Sequence, residues 1–494
     1  MFIAKINNKI EYKFENEMQL SDILINAGMN FPLPCGGNGT CGKCKVHAIG
    51  KLSPISDEEL LKLSDSEKNE NIRLACIAKV SGDVAISYEN TEIHVQDSGY
   101  SKEFTIDTDY KSGIIIDIGT TTVVARLYKN AELVKTVTGL NEQSKFGADV
   151  ISRIDYTINN QKDSLYKTIN SQISSMLDEL SCHSPDIFII TGNTTMLHFL
   201  TNLDAKGIAV SPFIPQSLFG EFYEIQDVKA YIPRCISAYV GADITCGILA
   251  SGILEKNETA ILVDMGTNGE MAYYDKFTLK TASTAAGPAF EGAGIFMGMP
   301  AKDGAVNKVY VENSEIKYTT INDKPAVGIC GSGLIDCVAV MINEGILDET
   351  GLINDFDHNH LSSITEQDGK PAFKIPNSEV IITSKDIRQI QLAKSAIKSG
   401  ILTLLCGQTV DVLYIAGGFG AYINIENAET IGLIPKGTYK ETKILGNSAI
   451  TGASLIYLSK NELAKSEKIA ELSDTVELSS NADFMDYYVE NMFF

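Results

Sequence analysis

Apolar and polar residues alternate along the start of the chain with the two-residue period of a half-buried strand. Met1–Lys9 and Glu11–Glu15 both follow this pattern, and together they predict a β-hairpin. A helical spacing of apolar residues comes next, with Ser21 in the position of an N-cap. The chain is therefore predicted to begin with a hairpin followed by one helix.

Shorter apolar runs near Val84–Tyr88 and Ile93–Val95 predict further strands. With the hairpin and the helix, they predict a small α+β domain with a mixed sheet over residues 1–95. The polar segment 96–112 has no clear period, and we interpret it as a linker.

The pattern changes after the linker to apolar runs that end in clusters of Gly, Thr and Asn. Helical spacing follows two of these clusters, at Thr194–Leu200 and Leu334–Ile342. This order is typical of an α/β domain with a parallel or mixed sheet and ligands at the strand ends. We assign it to residues 113–460, and the remaining residues 461–494 are predicted to be a C-terminal tail.

One short pattern occurs twice within the α/β part. Ile116–Thr121 and Val263–Asn268 each read apolar–Asp–apolar–Gly–Thr, about 147 residues apart. Each follows an apolar strand and precedes another β-type run, Val123–Tyr128 or Met271–Tyr274. The repeat in equivalent settings predicts two duplicated lobes.

Composition excludes several classes of partner. The chain has 494 residues and a formal charge of −22, which disfavours nucleic acid and anionic membranes as partners. The first residues lack the apolar core of a signal peptide, and no run of about 18 apolar residues is present. We expect a cytoplasmic protein, and in that reducing compartment its ten cysteines favour metal binding over disulfides.

Three cysteines lie within ten residues and a fourth lies further along. Cys35, Cys41 and Cys44 are separated by gaps of five and two residues, and Cys76 follows after 31 more. Glycines between the first three permit positive φ and let backbone N–H groups approach inorganic sulfide. Four thiolates fit a [2Fe–2S] cluster, and the gap of five residues is typical of adrenodoxin-like ferredoxins. The sequence therefore predicts a one-electron carrier.

Two alternatives for these cysteines remain, a structural zinc site and unliganded buried thiols. Zinc sites more often pair two CxxC-like units, whereas Cys35 and Cys76 each stand alone. The other cysteines occur singly in apolar surroundings and are interpreted as buried small hydrophobes. They are Cys182, Cys235, Cys246, Cys330, Cys337 and Cys406. His358 and His360 lie in a polar segment and are expected to be solvated.

The repeated pattern has the chemistry of a phosphate site. Each turn offers backbone N–H groups and hydroxyls to an anion, and the preceding Asp117 or Asp264 can hold Mg²⁺ near phosphate oxygens. A third segment, Ile415–Gly420, is a strand that ends in glycines, where an adenosine can lie against the backbone. A Walker A motif is absent from the sequence, and its one GxGxxG run, at residues 37–42, lies in the cysteine loop instead of between a strand and a helix, so P-loop and Rossmann folds are disfavoured.

These three segments, in this order, resemble the phosphate-1, phosphate-2 and adenosine motifs of acetate and sugar kinases, heat-shock-70 proteins and actin. The resemblance covers residues 113–460 and implies two ribonuclease-H-like lobes that close over ATP, with Asp117 and Asp264 organising Mg²⁺ and water. The residues implied to contact ATP are Gly119, Thr120, Thr121, Thr122, Gly266, Thr267, Asn268, Gly269, Gly417 and Gly418, with Gly331, Ser332 and Gly333 as further candidates at a predicted helix N-terminus.

The two halves together resemble the reductive activators of corrinoid-dependent enzymes. Segments that carry this resemblance, besides the cysteine loop, are Asn141–Gln143, Gly147–Arg153, Gly192–His198, Gly241–Asp243 and Gly287–Ala293. The fold implied is an N-terminal β-grasp ferredoxin domain followed by the actin-like ATPase. Some relatives have an extra domain between these parts, whereas only a short linker fits here, so conclusions about that domain do not transfer.

The resemblance also implies an activity and partners. Corrinoid methyltransferases work through Co(I), and oxidation leaves inactive Co(II). Re-reduction by a [2Fe–2S] cluster across a gap of roughly 0.1–0.2 V costs about 2–5 kcal/mol, which ATP can supply. The implied partners are a low-potential electron donor and the corrinoid protein of a methyltransferase or O-demethylase system, and a homodimer is left open.

The segment Thr281–Gly294 is rich in small residues and follows the second phosphate turn. We expect it to lie on the nucleotide side of the protein. The alternative is that it approaches the corrin, with Ser283 or Thr284 near cobalt.

Three rival functions use the same motifs. One is an activator of another low-potential enzyme, of the 2-hydroxyacyl-CoA dehydratase type, although that family holds a [4Fe–4S] cluster between two subunits. A second is a redox-sensing actin-like binding module. A third is a sugar or acetate kinase, in which a fused ferredoxin has no use.

Overall fold

The computed structural model describes residues 1–7, 9–29, 31, 33, 37, 39, 42–88, 102–160, 163–356, 359–418 and 422–494, apart from the side chain of Asp65. Several sequence predictions lie outside these residues. They concern Cys35, Cys41, the strand at Ile93–Val95, His358, and Phe419 with Gly420.

The N-terminal domain is a mixed sheet with one main helix. Strand order is β2-β1-β6-β4-β5, with β3 paired to β6, and β1 runs antiparallel to β2 and parallel to β6. The predicted hairpin and α+β class are confirmed. The elements are β1 (Phe2–Ile6), β2 (Ile10–Phe14), β3 (Met18–Gln19), α1 (Leu20–Asn26), β4 (Lys45–Leu52), α2 (Asp57–Leu60), α3 (Asp65–Asn69), β5 (Ile72–Leu74) and β6 (Lys79–Ser87).

The start of α1 differs from the prediction. Ser21 is not the N-cap, because Gln19 occupies that position without a side-chain cap and Ser21 is buried in the first turn. The N–H groups of Leu20 and Ser21 bond to Ala78 O and Ala75 O instead. Tertiary contacts with the segment around Cys76 therefore replace the local cap.

The first lobe of the second domain is built on a sheet ordered β11-β12-β10-β7-β8-β9. The central strands β7 and β10 are buried and parallel, as predicted for apolar runs with ligands at their ends. The elements are β7 (Ser112–Ile118), β8 (Thr122–Lys129), β9 (Glu132–Leu140), α4 (Val150–Asn159), α5 (Ser164–Leu180), β10 (Ile187–Gly192), α6 (Thr194–Leu200), α7 (Lys206–Ala209), β11 (Glu221–Ile225), β12 (Val228–Ile232) and α8 (Ala242–Ser251).

The second lobe contains a sheet ordered β23-β22-β13-β14-β15-β24, with smaller sheets β17-β16-β18 and β19-β20-β21 beside it. Its elements are β13 (Ala260–Met265), β14 (Gly269–Tyr274), β15 (Leu279–Thr284), β16 (Ala305–Glu312), β17 (Glu315–Thr320), β18 (Gly328–Ile329), α9 (Gly331–Asn343), β19 (Ile364–Gln367), β20 (Lys370–Lys374), β21 (Ile381–Thr383), α10 (Ser384–Leu405), β22 (Val410–Ala416), α11 (Ile425–Thr430), β23 (Tyr439–Gly446), α12 (Ser448–Leu458), α13 (Lys460–Leu472), β24 (Ser473–Thr475) and α14 (Ala482–Glu490).

The two lobes share one topology. In each, three antiparallel strands are followed by a strand that pairs in parallel with the first of the three: β7-β8-β9 with β10, and β13-β14-β15 with β22. The predicted duplication is confirmed at the level of the sheets. Helices α8 and α12 pack against each other between the lobes, over a shared apolar core.

The C-terminal residues and the end of the linker are both anchored to the lobes. Residues 461–494, interpreted above as a tail, instead add β24 beside β15 and pack α14 on α10. The end of the linker is anchored by the Lys102 ammonium, which binds the carboxylates of Glu255 and Glu462. Among the described residues, none of the helices is both long and apolar enough to cross a bilayer.

Candidate functional site

A cleft between the two lobes brings together most of the residues predicted to contact ATP. Its walls include Asp117, Gly119, Thr120, Thr121, Thr122, Asp264, Gly266, Thr267, Asn268, Gly331, Ser332, Gly417 and Gly418. Two predicted residues lie behind the wall. A Cβ on Gly269 would lie 3.1 Å from Ile397, and one on Gly333 would lie 2.2 Å from Val306 O, so these two glycines serve packing.

The first phosphate turn is fixed by its own backbone and by two asparagines. Gly119 N donates to Thr122 O at 2.9 Å, which closes the turn between β7 and β8. Asn141 Nδ2 donates to Gly119 O at 2.8 Å, and Asn193 Nδ2 donates to Thr120 Oγ1 at 2.9 Å. The hydroxyls and N–H groups of the turn are therefore preorganised for an anion.

Glu291 joins the two phosphate turns across the cleft. Its Oε2 accepts hydrogen bonds from Thr121 Oγ1 at 2.9 Å and from Thr267 Oγ1 at 2.6 Å. An anionic oxygen thus lies between the two hydroxyls that the sequence assigned to phosphate. Glu291 was missed as a site residue, although its segment Gly287–Ala293 was noted for the family resemblance.

Four further carboxylates make the cleft strongly acidic. Burial raises the pKa of Asp117 to about 6, while a hydrogen bond from Asn447 and the charge of Arg126 oppose the shift. Burial, together with the charges of Asp117 and Glu291, raises the pKa of Asp264 to about 7.

The other two carboxylates were not predicted. Burial and the neighbouring carboxylates raise the pKa of both Asp243 and Glu270. Within the described residues, no group of three His, Cys, Asp or Glu side chains is close enough to hold one metal ion. Mg²⁺ in nucleotide sites usually keeps several waters and is bound by one or two carboxylates together with phosphate oxygens.

A buried arginine lies behind the first turn. Arg153 is fully buried and donates to Thr120 O at 2.6 Å and to Gly147 O at 2.9 Å. Burial lowers its pKa to about 10, so the guanidinium stays charged at neutral pH. Arg153 was missed as a site residue. Arginine is usually exposed, and nothing in the neighbouring sequence shows that this one is buried.

The adenosine side is set by the end of β22. A Cβ on Gly417 would lie 2.3 Å from Met265 O and 2.9 Å from Asp264 Oδ1, so only glycine fits beside this carboxylate. A Cβ built on Gly418 meets no described atom within 4 Å. The described residues thus leave room for a ligand where the sequence predicted adenosine.

The segment Thr281–Gly294 lies partly on the nucleotide side. Phe290 and Glu291 line the cleft. Ser283 and Thr284 belong to β15, where they pair with Glu270 and Gly269. The alternative of a cobalt contact stays an untested hypothesis.

Two of the four cluster cysteines are described, and they converge. Cys44 Sγ lies 3.1 Å from Cys76 Sγ, and both side chains are buried. Two thiolate ligands of one tetrahedral metal atom lie roughly 3.7 Å apart when each metal–sulfur bond is about 2.3 Å, so these sulfurs need to separate only slightly to bind either iron or zinc. Gly37, Gly39 and Gly42 all have positive φ, as predicted for the loop.

A buried ion pair fixes the strand that leads to Cys76. Arg73 Nη2 lies 2.7 Å from Glu59 Oε2, and Glu59 Oε1 also accepts from Leu74 N at 3.0 Å. Both side chains are almost fully buried, so loss of either partner would leave an uncompensated charge. The pair therefore holds the Cys76 segment in place.

Two minor predictions are corrected. Cys406 is exposed at the end of α10, because the chain adopts a left-handed conformation there and leaves the core. His360 is not solvated, since its ring is mostly buried and lies 2.9 Å from Glu344 Oε2.

Comparison with known proteins agrees with this organisation. Residues 4–81 match the 2Fe-2S iron-sulfur cluster binding domain, residues 112–256 match the RACo middle region, and residues 258–494 match the C-terminal domain of RACo, the ASKHA domain. The protein is thus of the class that joins a [2Fe–2S] ferredoxin domain to an actin-like, ATP-binding ASKHA domain.

Individual relatives identify the family. The chain is 34% identical to the corrinoid activation enzyme RamQ of Eubacterium limosum over 98% of this chain and 97% of that protein. It is 24% identical to the [Co(II) methylated amine-specific corrinoid protein] reductase of Methanosarcina barkeri over 76% of each. The solved reductive activator for corrinoid, iron-sulfur protein superposes with a TM-score of 0.72 at 28% identity, over 100% of this chain and 98% of that one. The chain belongs to the RACo family of corrinoid activation proteins.

Proposed function

We propose that this protein is an ATP-dependent reductive activator that transfers one electron to the Co(II) corrinoid of a methyltransferase or O-demethylase system and so restores Co(I). The observation that carries the proposal is the joining of a converging cysteine pair to a two-lobed cleft, in a chain related over its full length to a corrinoid activation enzyme. It favours this function over a kinase, which has no use for the ferredoxin part, and the relationship to a corrinoid activation enzyme favours it over a redox sensor.

The proposed cluster ligands are Cys35, Cys41, Cys44 and Cys76. When bound, the [2Fe–2S] cluster supplies single electrons at low potential. The described thiols of Cys44 and Cys76 fit this group because they converge in a buried site. The Glu59–Arg73 pair orients the second of them through Leu74.

The proposed nucleotide site uses both phosphate turns. Thr120–Thr122 and Thr267 would bind phosphate oxygens, and Gly418 would border the adenosine. Mg²⁺ would neutralise Asp117 and Asp264, whose raised pKa values reflect buried negative charge without enough cations. Asp264 would orient the attacking water, since the Asn447 hydrogen bond already engages Asp117.

The reaction is balanced as a one-electron step. Cys35, Cys41, Cys44 and Cys76 would hold the cluster, whose chemistry would be to give one electron to Co(II), forming Co(I), and to regain that electron from a low-potential donor. Hydrolysis of ATP offsets the unfavourable potential, and closure of the two lobes is the element that couples the two processes. We expect the activity in the cytoplasm, where thiolates stay reduced.

The test is to mix the protein, reduced with titanium(III) citrate, with Co(II) corrinoid proteins from the same host. Co(I) absorbance is followed with and without Mg-ATP. We expect ATP-dependent Co(I) formation with at least one partner, loss of it in Asp264→Ala, and retention in Asp178→Asn, an exposed control in α5. Failure with every corrinoid protein would overturn the function, and an active Asp264→Ala variant would overturn the site.

A further inference from the structure

One residue of the cluster loop contacts the ATPase domain directly. Lys43, the neighbour of Cys44, donates from Nζ to Ile295 O at 2.5 Å, to Gly298 O at 2.7 Å and to Phe296 O at 3.2 Å. An ammonium group has three donors, and three carbonyl oxygens surround it here. The contact is therefore a site shaped for a single cation.

The segment that receives Lys43 is held in place by its own partners. Phe296 N donates to Asp386 Oδ1 at 2.7 Å, and Asp386 also caps α10 through Thr383. Burial raises the pKa of Asp386, and the charge of Lys43 is among the contacts that oppose this shift. A buried carboxylate thus adds electrostatic attraction to the carbonyl contacts.

The same segment is continuous with the nucleotide cleft. Glu291, which joins the two phosphate turns, lies four residues before Ile295, and Met299 lines the cleft just after Gly298. Gly298 and Met299 are pinned beside Ile329, which leads into the cleft-lining start of α9. A phosphate placed between Thr121 and Thr267 would displace the Glu291 carboxylate by volume and by charge.

We propose that the segment Ile295–Gly298 is a docking site for the cluster loop, and that nucleotide binding releases Lys43 from it. Lys43 is then a positioning residue: it holds the ferredoxin domain on the second lobe until ATP occupies the cleft. Release would free the cluster side of the domain for a corrinoid partner. This inference rests on the proposed function for the nucleotide that occupies the cleft and for the identity of that partner, whereas the docking contact itself is within the chain.

The experiment is hydrogen–deuterium exchange on the cluster-loaded protein, with and without a non-hydrolysable ATP analogue and Mg²⁺. For peptides covering 42–52 and 292–299, we expect the analogue to raise exchange of the wild type by about tenfold. Lys43→Met should show the faster exchange without nucleotide, and Lys43→Arg should restore part of the protection. Lys45→Met is the matched control, since Lys45 pairs with Glu67 inside the ferredoxin domain and should leave the wild-type pattern unchanged.

A second readout separates docking from assembly and from function. Iron content and the spectrum of the reduced cluster should match the wild type in Lys43→Met, which shows that the cluster is intact. The ratio of Co(I) formation with ATP to that without should fall about fivefold or more, while ATP hydrolysis changes less than about twofold.

The outcomes are distinct. Exchange that is identical in Lys43→Met and the wild type, or insensitive to nucleotide in both peptides, would overturn the docking proposal even if Co(I) forms. The expected exchange pattern without Co(I) formation from any partner would leave docking supported and overturn the corrinoid function alone.

Discussion

In both lobes an aspartate lies near the end of a central strand, but the residues around the two aspartates differ. Asp117 pairs in register with Thr191 at the end of β10, and Asp264 pairs with Ala416 at the end of β22. Asp117 accepts a hydrogen bond from Asn447 and lies near Arg126, whereas the charges that act on Asp264 come from two other carboxylates. Equivalent backbone positions therefore hold one carboxylate that is largely satisfied and one that requires a cation.

The residues at the ends of the neighbouring parallel strands, β10 and β22, differ as well. Gly192 and Gly417 both lie against the strand that carries the aspartate, where a Cβ would be 2.5 Å from Ile118 O or 2.3 Å from Met265 O. After Gly192 comes Asn193, whose amide bonds Thr120 and caps α6. After Gly417 comes Gly418, where a Cβ would meet no described atom within 4 Å. The first lobe thus fixes the phosphate turn, while the second admits the ligand.

The largest expected effect is a difference in the rate of ATP hydrolysis between variants of Asp264 and Asp117. Asp264→Asn should lower the rate of ATP hydrolysis by about a hundredfold or more, because it removes the carboxylate on which the negative charges of Asp117 and Glu291 act and which would therefore depend most on Mg²⁺. Asp117→Asn should cost less, since Asn447 can still bond the amide. Steady-state phosphate release measures both, with Asp178→Asn as the control. Equal losses in the two variants would contradict the proposed division of roles.

The next effect is on stability and follows from the raised pKa of Asp264. In the unfolded chain this group titrates near its ordinary value of 3.8, and in the fold near 7. The folded state thus holds an extra proton between these values, so the free energy of unfolding falls as pH rises through that range. Between about pH 5.5 and 7.5, without Mg²⁺ or nucleotide, we expect wild type to lose about 2 kcal/mol relative to Asp264→Asn.

Urea denaturation of both proteins at the two pH values measures this difference. The amide that replaces the Asp264 carboxyl cannot titrate and no longer raises the pKa of Asp243 and Glu270, so the comparison measures Asp264 together with its effect on these neighbours, while groups that do not interact with it cancel. Parallel pH dependence of the two proteins would show that Asp264 is not buried as an uncompensated acid.

A third substitution gives the second lobe the side chain that the first lobe has at the equivalent position. Gly418→Asn introduces the side chain found at Asn193, and it should weaken ATP binding by about tenfold because it fills the space left for adenosine. Stability should change little, since the position has room for a Cβ. Calorimetric titration with ATP tests this, with inorganic pyrophosphate as a ligand that lacks the adenosine. Weakening of both ligands alike would place the adenosine elsewhere.

The smallest expected effect comes from removing the side chain that supports the first phosphate turn. Asn193→Ala deletes the cap of α6 and the bond to Thr120, and should cost about 1 kcal/mol of stability. ATP affinity should fall a few-fold, because the Thr120 hydroxyl loses its orientation. Asn193→Ser retains a capping oxygen and should recover most of the stability, as thermal unfolding can show. Full affinity in Asn193→Ala would mean that Thr120 does not bind phosphate.

The two phosphate turns could be predicted from the sequence, because an aspartate between apolar residues, followed by Gly-Thr, is a local pattern. The sequence also predicted the duplication and a helical pattern over Leu334–Ile342, which lies within the observed helix α9 at Gly331–Asn343. It could not show that Glu270 and Arg153 are buried, and Asp243 and Glu291 half-buried, around the cleft, since burial of a charged residue depends on elements far along the chain. The Lys43 contact spans about 250 residues and has no local signal at all.

The anchored end of the linker has a consequence for how often the ferredoxin domain meets its own docking site. Tyr88 ends the described part of that domain, and Lys102 is bound to Glu255 and Glu462. The roughly 14 peptide units between them can span at most about 50 Å. A domain confined to such a volume has an effective concentration in the millimolar range, so a weak contact can still be occupied most of the time. Rebinding within one chain should therefore outcompete the ferredoxin domains of other copies at any ordinary protein concentration.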